Sequence, residues 1–80
     1  MPRYFFHTRD GESWIRDETG VELSGIEKAR VEATAGLADM AKDVIPGALR
    51  KELSVEVLDA EGRRLFRAVL RLETEKVEGF

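Results

Sequence analysis

The first apolar run of the chain does not alternate between apolar and polar residues. Residues 4–16 are YFFHTRDGESWIR, in which Tyr4, Phe5 and Phe6 are adjacent. Because successive side chains of a strand point to opposite faces, these rings place large groups on both faces of any strand built here. A strand with one face in water is not expected to look like this, so the run predicts two faces that each make contacts.

A turn within this run predicts a hairpin. Asp10-Gly11 lies between segments rich in aromatic and β-branched residues, which is typical of a two-residue type I′ turn and predicts strands at about 3–9 and 12–17. The expected pairs are Arg9 with Glu12, Thr8 with Ser13, His7 with Trp14, Phe6 with Ile15 and Phe5 with Arg16. One face then carries Tyr4, Phe6, Thr8, Ser13 and Ile15, and the other carries Phe5, His7, Arg9, Trp14 and Arg16.

A helix is predicted after a second turn at residues 17–20. The segment S-G-I-E at 24–27 fits a capping box, with Ser24 as N-cap and Glu27 reaching back to it, and Pro46-Gly47 ends the helix. Apolar residues recur at helical spacing, namely Ile26, Ala29, Ala33, Leu37, Met40 or Ala41, and Val44. Because this stripe is rich in small residues, the helix can approach a sheet closely, with Tyr4 and Phe6 filling the remaining space.

The strand pattern returns in residues 53–72 and predicts a second hairpin. A type I turn with a glycine bulge would set Arg67 opposite Val55. A four-residue loop instead pairs Val57 with Phe66 and Glu56 with Arg67, and we prefer it because it sorts apolar from polar residues better. In the last strand Phe66, Ala68, Leu70 and Leu72 share one face, and Leu65, Arg67, Val69 and Arg71 share the other.

Together these elements predict an α+β fold, a two-layer sandwich in the order β-β-α-β-β. Two hairpins form one antiparallel sheet, and one long helix packs on one face of it. Residues 1–72 form a single domain, and residues 73–80 are expected to fray. The pattern does not indicate the order of the strands in the sheet.

Composition narrows the setting of this domain. The 80 residues contain no cysteine, so a disulfide framework and a thiolate metal site are excluded. Charge and histidine interrupt the N-terminal apolar residues, and no run is long enough to span a bilayer, so we expect a cytoplasmic protein without membrane contact. Thirteen basic against sixteen acidic residues give a net charge of −3, which disfavours general attraction to nucleic acid.

Several short motifs carry a family resemblance. They are MPRYFFH at the start, Asp10-Gly11, D-E-x-G at 17–20, E-L at 22–23, A-x-x-E-A at 29–33 and VLDAEGR at 57–63. On these motifs the chain resembles, over about residues 1–70, a family of short stand-alone proteins common in alphaproteobacteria and catalogued as a domain of unknown function. The resemblance implies a bacterial source and a complete natural protein, and it implies no activity, ligand or catalytic residue.

The residues that could carry chemistry have simpler structural interpretations. His7 is the only histidine, so no nucleophile-base pair or nitrogen-rich metal site can be assembled, and we expect it to pack against Trp14. The acids between residues 10 and 22 lack the spacing of a calcium loop, and Asp10 and Asp17 suit turns. Glycines occur singly, without a phosphate loop. The sequence therefore predicts no enzyme, metal site or cofactor.

One surface stands out, the sheet face that a single helix leaves uncovered. Its candidate residues are Arg3, Phe5, His7, Arg9, Trp14, Arg16, Leu65, Arg67, Val69 and Arg71. Apolar residues exposed together typically mark a protein interface, and tryptophan and arginine are enriched at interface hot spots. We therefore predict a non-catalytic interaction module that self-associates, as a homodimer, or binds another protein through this face or a sheet edge. The alternative is a nucleic-acid-binding module that stacks bases on the same aromatic and arginine residues.

Overall fold

The computed structural model describes residues 1–78. It contains five strands and one helix: β1 (Arg3–Asp10), β2 (Ser13–Ile15), β3 (Val21–Glu22), α1 (Ile26–Val44), β4 (Arg50–Leu58) and β5 (Arg64–Glu73). The predicted α+β fold with the order β-β-α-β-β is confirmed. The two-residue strand β3, which follows the first hairpin, was not part of the prediction.

The sheet is antiparallel throughout, with the strand order β2-β1-β4-β5. Strand β3 pairs with the start of β1, on the side where β2 pairs with its end. The long strands β1 and β4 therefore lie inside the sheet, and β5 forms one of its edges. Helix α1 packs on one side, mainly against β4 and β5.

The core lies between the helix and β4. Alternate residues of β4 are almost completely buried against the helix, which contributes its predicted small-residue stripe; the buried apolar residues are Tyr4, Ala29, Ala33, Leu37, Leu53, Val55 and Val57. Phe6 packs at the margin of this cluster. Alanine at two helix positions brings the helix axis near the sheet, and the Tyr4 ring fills space beside it, as the sequence predicted.

The first hairpin has a different turn from the predicted one. Asp10 pairs with Ser13, so Gly11 and Glu12 form the two-residue loop, and the predicted pairing of Arg9 with Glu12 is wrong. Of the two loop residues, Gly11 has a positive φ, at 59°, and Glu12 does not, which fits a type II′ turn and not type I′. Asp10 is not a loop residue, and its carboxylate lies 2.6 Å from Lys51 Nζ.

This register differs from the predicted one by two residues along the partner strand, and the period of a strand is also two. Thr8 therefore lies opposite Ile15 and Arg9 opposite Trp14, while each residue keeps its predicted face. Arg16 follows the end of β2, so its predicted pairing with Phe5 does not form. In the first hairpin, the face of each residue was predicted correctly although every predicted cross-strand pair was wrong.

The predicted capping box at the start of α1 is also wrong. Gly25 is the N-cap, in extended backbone, and no side chain caps the helix. The Glu27 carboxylate accepts a hydrogen bond from Arg30 Nε at 2.8 Å instead of reaching back to Ser24. Ile26 remains 47% exposed, so the buried stripe begins at Ala29. The helix ends at Val44, just before Pro46-Gly47, as predicted.

The second hairpin has the preferred register, with Val57 opposite Phe66 and Glu56 opposite Arg67. A β-bulge follows, because the next pair joins Leu58 to Arg64 and leaves Leu65 as the extra residue. Leu65 lines a recess with Tyr4 and Ile26 on the helix side of the sheet, so its predicted place on the uncovered face is wrong. Arg64 lies on that face in its place, because the bulge reverses the alternation at this end of β5.

The C-terminal segment begins later than predicted, because β5 continues through Glu73. Beyond it, the N–H and the hydroxyl of Thr74 each donate to the Leu49 carbonyl at 2.9 Å. The fraying expected of residues 73–80 stays a prediction, and residues 79 and 80 lie outside the described part.

Candidate interaction site

The side of the sheet that faces away from α1 is called the outer face here. It contains a recess of about 260 Å³ with the buried Ser54 among its lining residues, which are His7, Arg9, Trp14, Ser54, Glu56, Arg64 and Arg67. Four of the predicted surface residues therefore come together: His7, Arg9, Trp14 and Arg67. Val69 and Arg71 lie on the same face farther along β5, opposite Ser54 and Glu52.

Trp14 is the most prominent apolar group of the outer face. Its side chain is 52% exposed, and its ring packs against His7 with centroids 5.6 Å apart and planes at 85°. The predicted contact between the two rings is confirmed, although Trp14 lies opposite Arg9 and meets His7 diagonally. This edge-to-face contact holds the indole in place and leaves half of it in solvent.

Glutamates balance part of the charge of the outer face. Arg64 Nε lies 3.5 Å from Glu56 Oε1, and Arg71 forms a 2.7 Å pair with Glu52. Within residues 1–78, Arg9 and Arg67 have no carboxylate within 4.0 Å. The predicted pairing of Glu56 with Arg67 already placed one of these glutamates on this face, and the two together leave it less basic than its arginines alone suggest.

The remaining predicted residues, Arg3, Phe5 and Arg16, lie in or beside a loop at residues 16–20. Arg3 donates to the Thr19 carbonyl at 2.9 Å and lies 3.4 Å from Glu22. Phe5 is half-buried beneath the same loop, where it lines a second recess of about 380 Å³ together with Arg16. Arg3 and Phe5 therefore hold the loop on the outer face, and Arg16, which is part of the loop, stays exposed beside the recess.

Asp17 is the residue that fixes this loop. Its carboxylate accepts hydrogen bonds at 3.0 Å from the backbone N–H groups of Phe6, Thr19 and Gly20, and its own N–H donates to His7 Nδ1 at 3.1 Å. Partial burial alone would raise the pKa of Asp17, but the three N–H donors, helped by nearby His7, lower it overall. The carboxylate takes the place of a strand between β2 and β3.

The free edge of β5 is the second candidate surface. Among residues 1–78 no strand pairs with its outer side. The Thr74 N–H donates to Leu49 and therefore points toward β4, and the direction of backbone groups alternates along an antiparallel strand. The outward groups are consequently those of every second residue, Arg67, Val69, Arg71 and Glu73.

Apolar side chains at this edge are incompletely covered. Leu70 is 38% exposed on the helix side, and Val69 is 40% exposed on the outer face. This edge could not be located from the sequence, because two consecutive hairpins can be arranged in a sheet in several orders. The alternating pattern that predicted β5 is the same for an edge strand and for a central one.

No group of three or more metal-binding side chains occurs in the described part of the chain. Within residues 1–78, no helix combines the length and the apolar character needed to cross a membrane.

Comparison with known proteins identifies the family. Residues 3–71 match the model of a family described as Domain of unknown function (DUF6894), and the chain belongs to this family. No match was found among the curated proteins or among the solved structures. The predicted resemblance to a domain of unknown function is thereby confirmed, and the family carries no catalytic description.

Proposed function

We propose that this member of the DUF6894 family is a non-catalytic module that acts through protein contacts and self-associates through the free edge of β5. The observation that carries the proposal is the row of four alternate residues whose backbone N–H and C=O groups point away from the sheet, Arg67, Val69, Arg71 and Glu73. An unpaired edge strand offers such groups to another chain, and adding a strand to a sheet edge is a common recognition mode.

The edge is favoured over the outer face because of what remains exposed there. Phe5 lies beneath the loop, Leu65 belongs to the helix side, and so Trp14 and Val69 are the apolar groups left among charged residues. The core of a self-association interface is typically apolar and depleted in charge. The outer face does not have this composition.

Strand pairing between two copies also satisfies symmetry. Two identical antiparallel strands pair about a twofold axis, so each copy presents the same edge and the assembly closes as a dimer. The gain includes hydrogen bonds for the outward groups and burial of Leu70, which is partly exposed in the single chain. For a domain of 80 residues, whose core is small, such added burial matters for stability.

A proline substitution at the edge tests this proposal. The Val69 N–H points outward, so Val69→Pro removes an edge donor without breaking the bonds between β4 and β5. Sedimentation equilibrium should show a dimer for the wild-type chain at micromolar concentration and a monomer for Val69→Pro, with unchanged circular dichroism. Trp14→Ser is the control on the outer face and should remain dimeric. A wild-type chain that is monomeric at high micromolar concentration overturns the proposal.

A second candidate function is binding of single-stranded nucleic acid on the outer face. The half-exposed Trp14 beside Arg9 and Arg67, which have no ion-pair partner in the described chain, supports this alternative. Bases would stack on the indole and phosphates would contact the guanidinium groups. Trp14 is the only tryptophan, so its fluorescence reports binding directly.

Titration with a thymidine oligonucleotide tests the second candidate. It predicts quenching of Trp14 fluorescence at low salt, and an affinity that falls as salt rises and falls again in Arg9→Gln. Arg30→Gln, with the same charge change on the helix, is the matched control. Unchanged fluorescence at low salt removes this candidate.

The proposal includes a cytoplasmic and bacterial setting. A small chain without cysteine has no disulfide to stabilise it in an oxidising compartment, which supports a reducing one. Cell fractionation of the source organism, with detection of the native chain, tests this part. Recovery in a periplasmic or membrane fraction contradicts it.

A further inference from the structure

We infer that two copies pair their β5 strands in one particular register, in which Leu70 lies opposite the partner's Leu70. This inference rests on the proposed function, because it specifies how the same edge is used. Its argument comes from the direction of the backbone groups, the charges along the edge and the apolar row on the helix side. Each of these restricts the register separately.

The backbone allows only registers that bring outward groups to outward groups. The outward groups of β5 belong to odd-numbered residues, so an odd residue must face an odd residue across the interface. For two identical antiparallel strands the twofold axis then passes midway between one residue and its own copy in the partner, and this residue is the centre of the register. Within the straight part of β5 the central positions are Val69, Leu70 and Arg71.

Charge separates these three positions. A centre at Val69 sets Arg67 against the partner's Arg71 twice, and a centre at Arg71 sets Arg71 against its own copy. Like charges directly opposite each other destabilise a sheet. A centre at Leu70 instead sets Arg67 against the partner's Glu73 on both sides of the axis, so two pairs of opposite charge form.

Length disfavours the registers farther out. A centre at Ala68 brings Leu65, the bulged residue, into the ladder opposite Arg71, where the backbone is irregular. A centre at Leu72 leaves Arg67 and Val69 without partners inside β5, so half of the outward backbone groups stay unpaired. The centre at Leu70 uses all four outward residues and stops before the bulge.

The helix side of the interface agrees with this choice. With Leu70 at the centre, Leu70 meets its own copy and Ala68 meets the partner's Leu72. Leu70 is 38% exposed in the single chain, and its side chain becomes covered in the pair. Both helices lie on the same side of the joined sheet, because the twofold axis is perpendicular to it.

Single-cysteine variants test the register, since the chain has no cysteine of its own. The Leu70 N–H points toward β4, so the two Leu70 residues form a non-hydrogen-bonded pair, with Cα atoms about 4.5 Å apart, within the range that a disulfide spans. Leu70→Cys should form a disulfide-linked dimer almost completely under diamide. Ala68→Cys alone should not, and a mixture of Ala68→Cys and Leu72→Cys should.

A charge exchange supplies a test that does not depend on cysteine. Arg67→Glu and Glu73→Arg should each weaken dimerisation about tenfold, and the double variant Arg67→Glu/Glu73→Arg should restore it. A dimer that persists without the Leu70→Cys cross-link, or without restoration in the double variant, overturns the register. A monomeric wild-type chain instead overturns the proposed function itself, so the two failures are distinguishable.

Discussion

The β1 side of the sheet and its β5 side differ in how their outward backbone groups are used. On β1 these groups belong to Tyr4, Phe6, Thr8 and Asp10, and each has a neighbour: β3, the Asp17 carboxylate, and β2 for the last two. On β5 the four corresponding residues have none among residues 1–78. The chain provides a neighbour for each of these residues on one side, even a side chain where no strand runs, and leaves the other side open.

The covered β1 side shows that this chain can protect a strand edge. The open edge of β5 is therefore not a general property of its strands. A loop with one carboxylate is enough to close a gap in the ladder on β1. Natural proteins usually protect long edge strands because they invite pairing with other chains. An edge of ten residues left open beside a covered one supports the proposal that β5 is a contact surface.

Prolines at two adjacent residues of β5 should give the largest difference in stability among the tests of this comparison. Leu70→Pro removes an N–H that points into the ladder with β4, which we expect to cost about 3 kcal/mol or more and to unfold most of the chain. Val69→Pro, with an outward N–H, should retain the fold. Urea denaturation followed by circular dichroism measures both. Equal destabilisation by the two prolines would show that the outward direction was assigned wrongly.

Removing the carboxylate that closes the β1 side should have the next largest effect. Asp17→Ala leaves three backbone N–H groups without their acceptor, and we expect a loss of about 2–3 kcal/mol in the free energy of unfolding. Asp59→Ala is the control, because Asp59 accepts N–H groups in the exposed turn of the other hairpin. Chemical denaturation should give Asp17→Ala a much lower free energy of unfolding than Asp59→Ala. The reverse order would contradict the role given to the loop.

A methyl group added at Gly20 should disturb the same loop less. Gly20 has a φ of 75°, and a Cβ atom there would lie 2.9 Å from both Arg3 Cγ and Phe5 Cε2. We expect Gly20→Ala to cost about 2 kcal/mol, and Gly11→Ala, which has a positive φ but open space around it, about 1 kcal/mol. Thermal unfolding compares them, and a Gly11→Ala variant that is the less stable of the two contradicts the close packing of the loop.

Lowering the pH should have the smallest effect, a loss of the stability that the Asp17 carboxylate contributes on the β1 side. The pKa of Asp17 is lowered in the fold, so the unfolded chain binds the proton more tightly and this contribution to stability is present above about pH 4. It is lost as the pH falls through the folded pKa. The free energy of unfolding of Asp17→Asn should therefore depend less on pH below 4 than that of the wild-type chain. Parallel curves would show that Asp17 does not carry the dependence.

The sequence predicted the elements and their faces well, for a physical reason. The period of a strand is two, so an error of two residues in the first hairpin changed the partners of Thr8 and Arg9 and left their faces correct. In the second hairpin, every second residue from Phe66 to Leu72 is apolar, and a register that pairs Val57 with Phe66 sets this row beside the apolar residues of β4, which is the register observed.

Two features of the site could not be predicted in this way. The bulge at Leu65 exchanges its face with that of Arg64, and nothing in the sequence RRLFR distinguishes a bulged strand from a regular one. The order of the strands, which places β5 at an edge, depends on packing between distant segments. Asp17 was identified as a turn residue, but its bond to Phe6 requires the loop to lie against β1.

Amide hydrogen exchange of β5 as a function of protein concentration tests the central claim most directly. The N–H groups of Ala68, Leu70 and Leu72 face β4 and should be protected at every concentration. Those of Arg67, Val69, Arg71 and Glu73 should exchange quickly in dilute solution and become protected as the concentration rises through the dimerisation range. Fast exchange of these four residues at the highest concentration would contradict the use of the β5 edge.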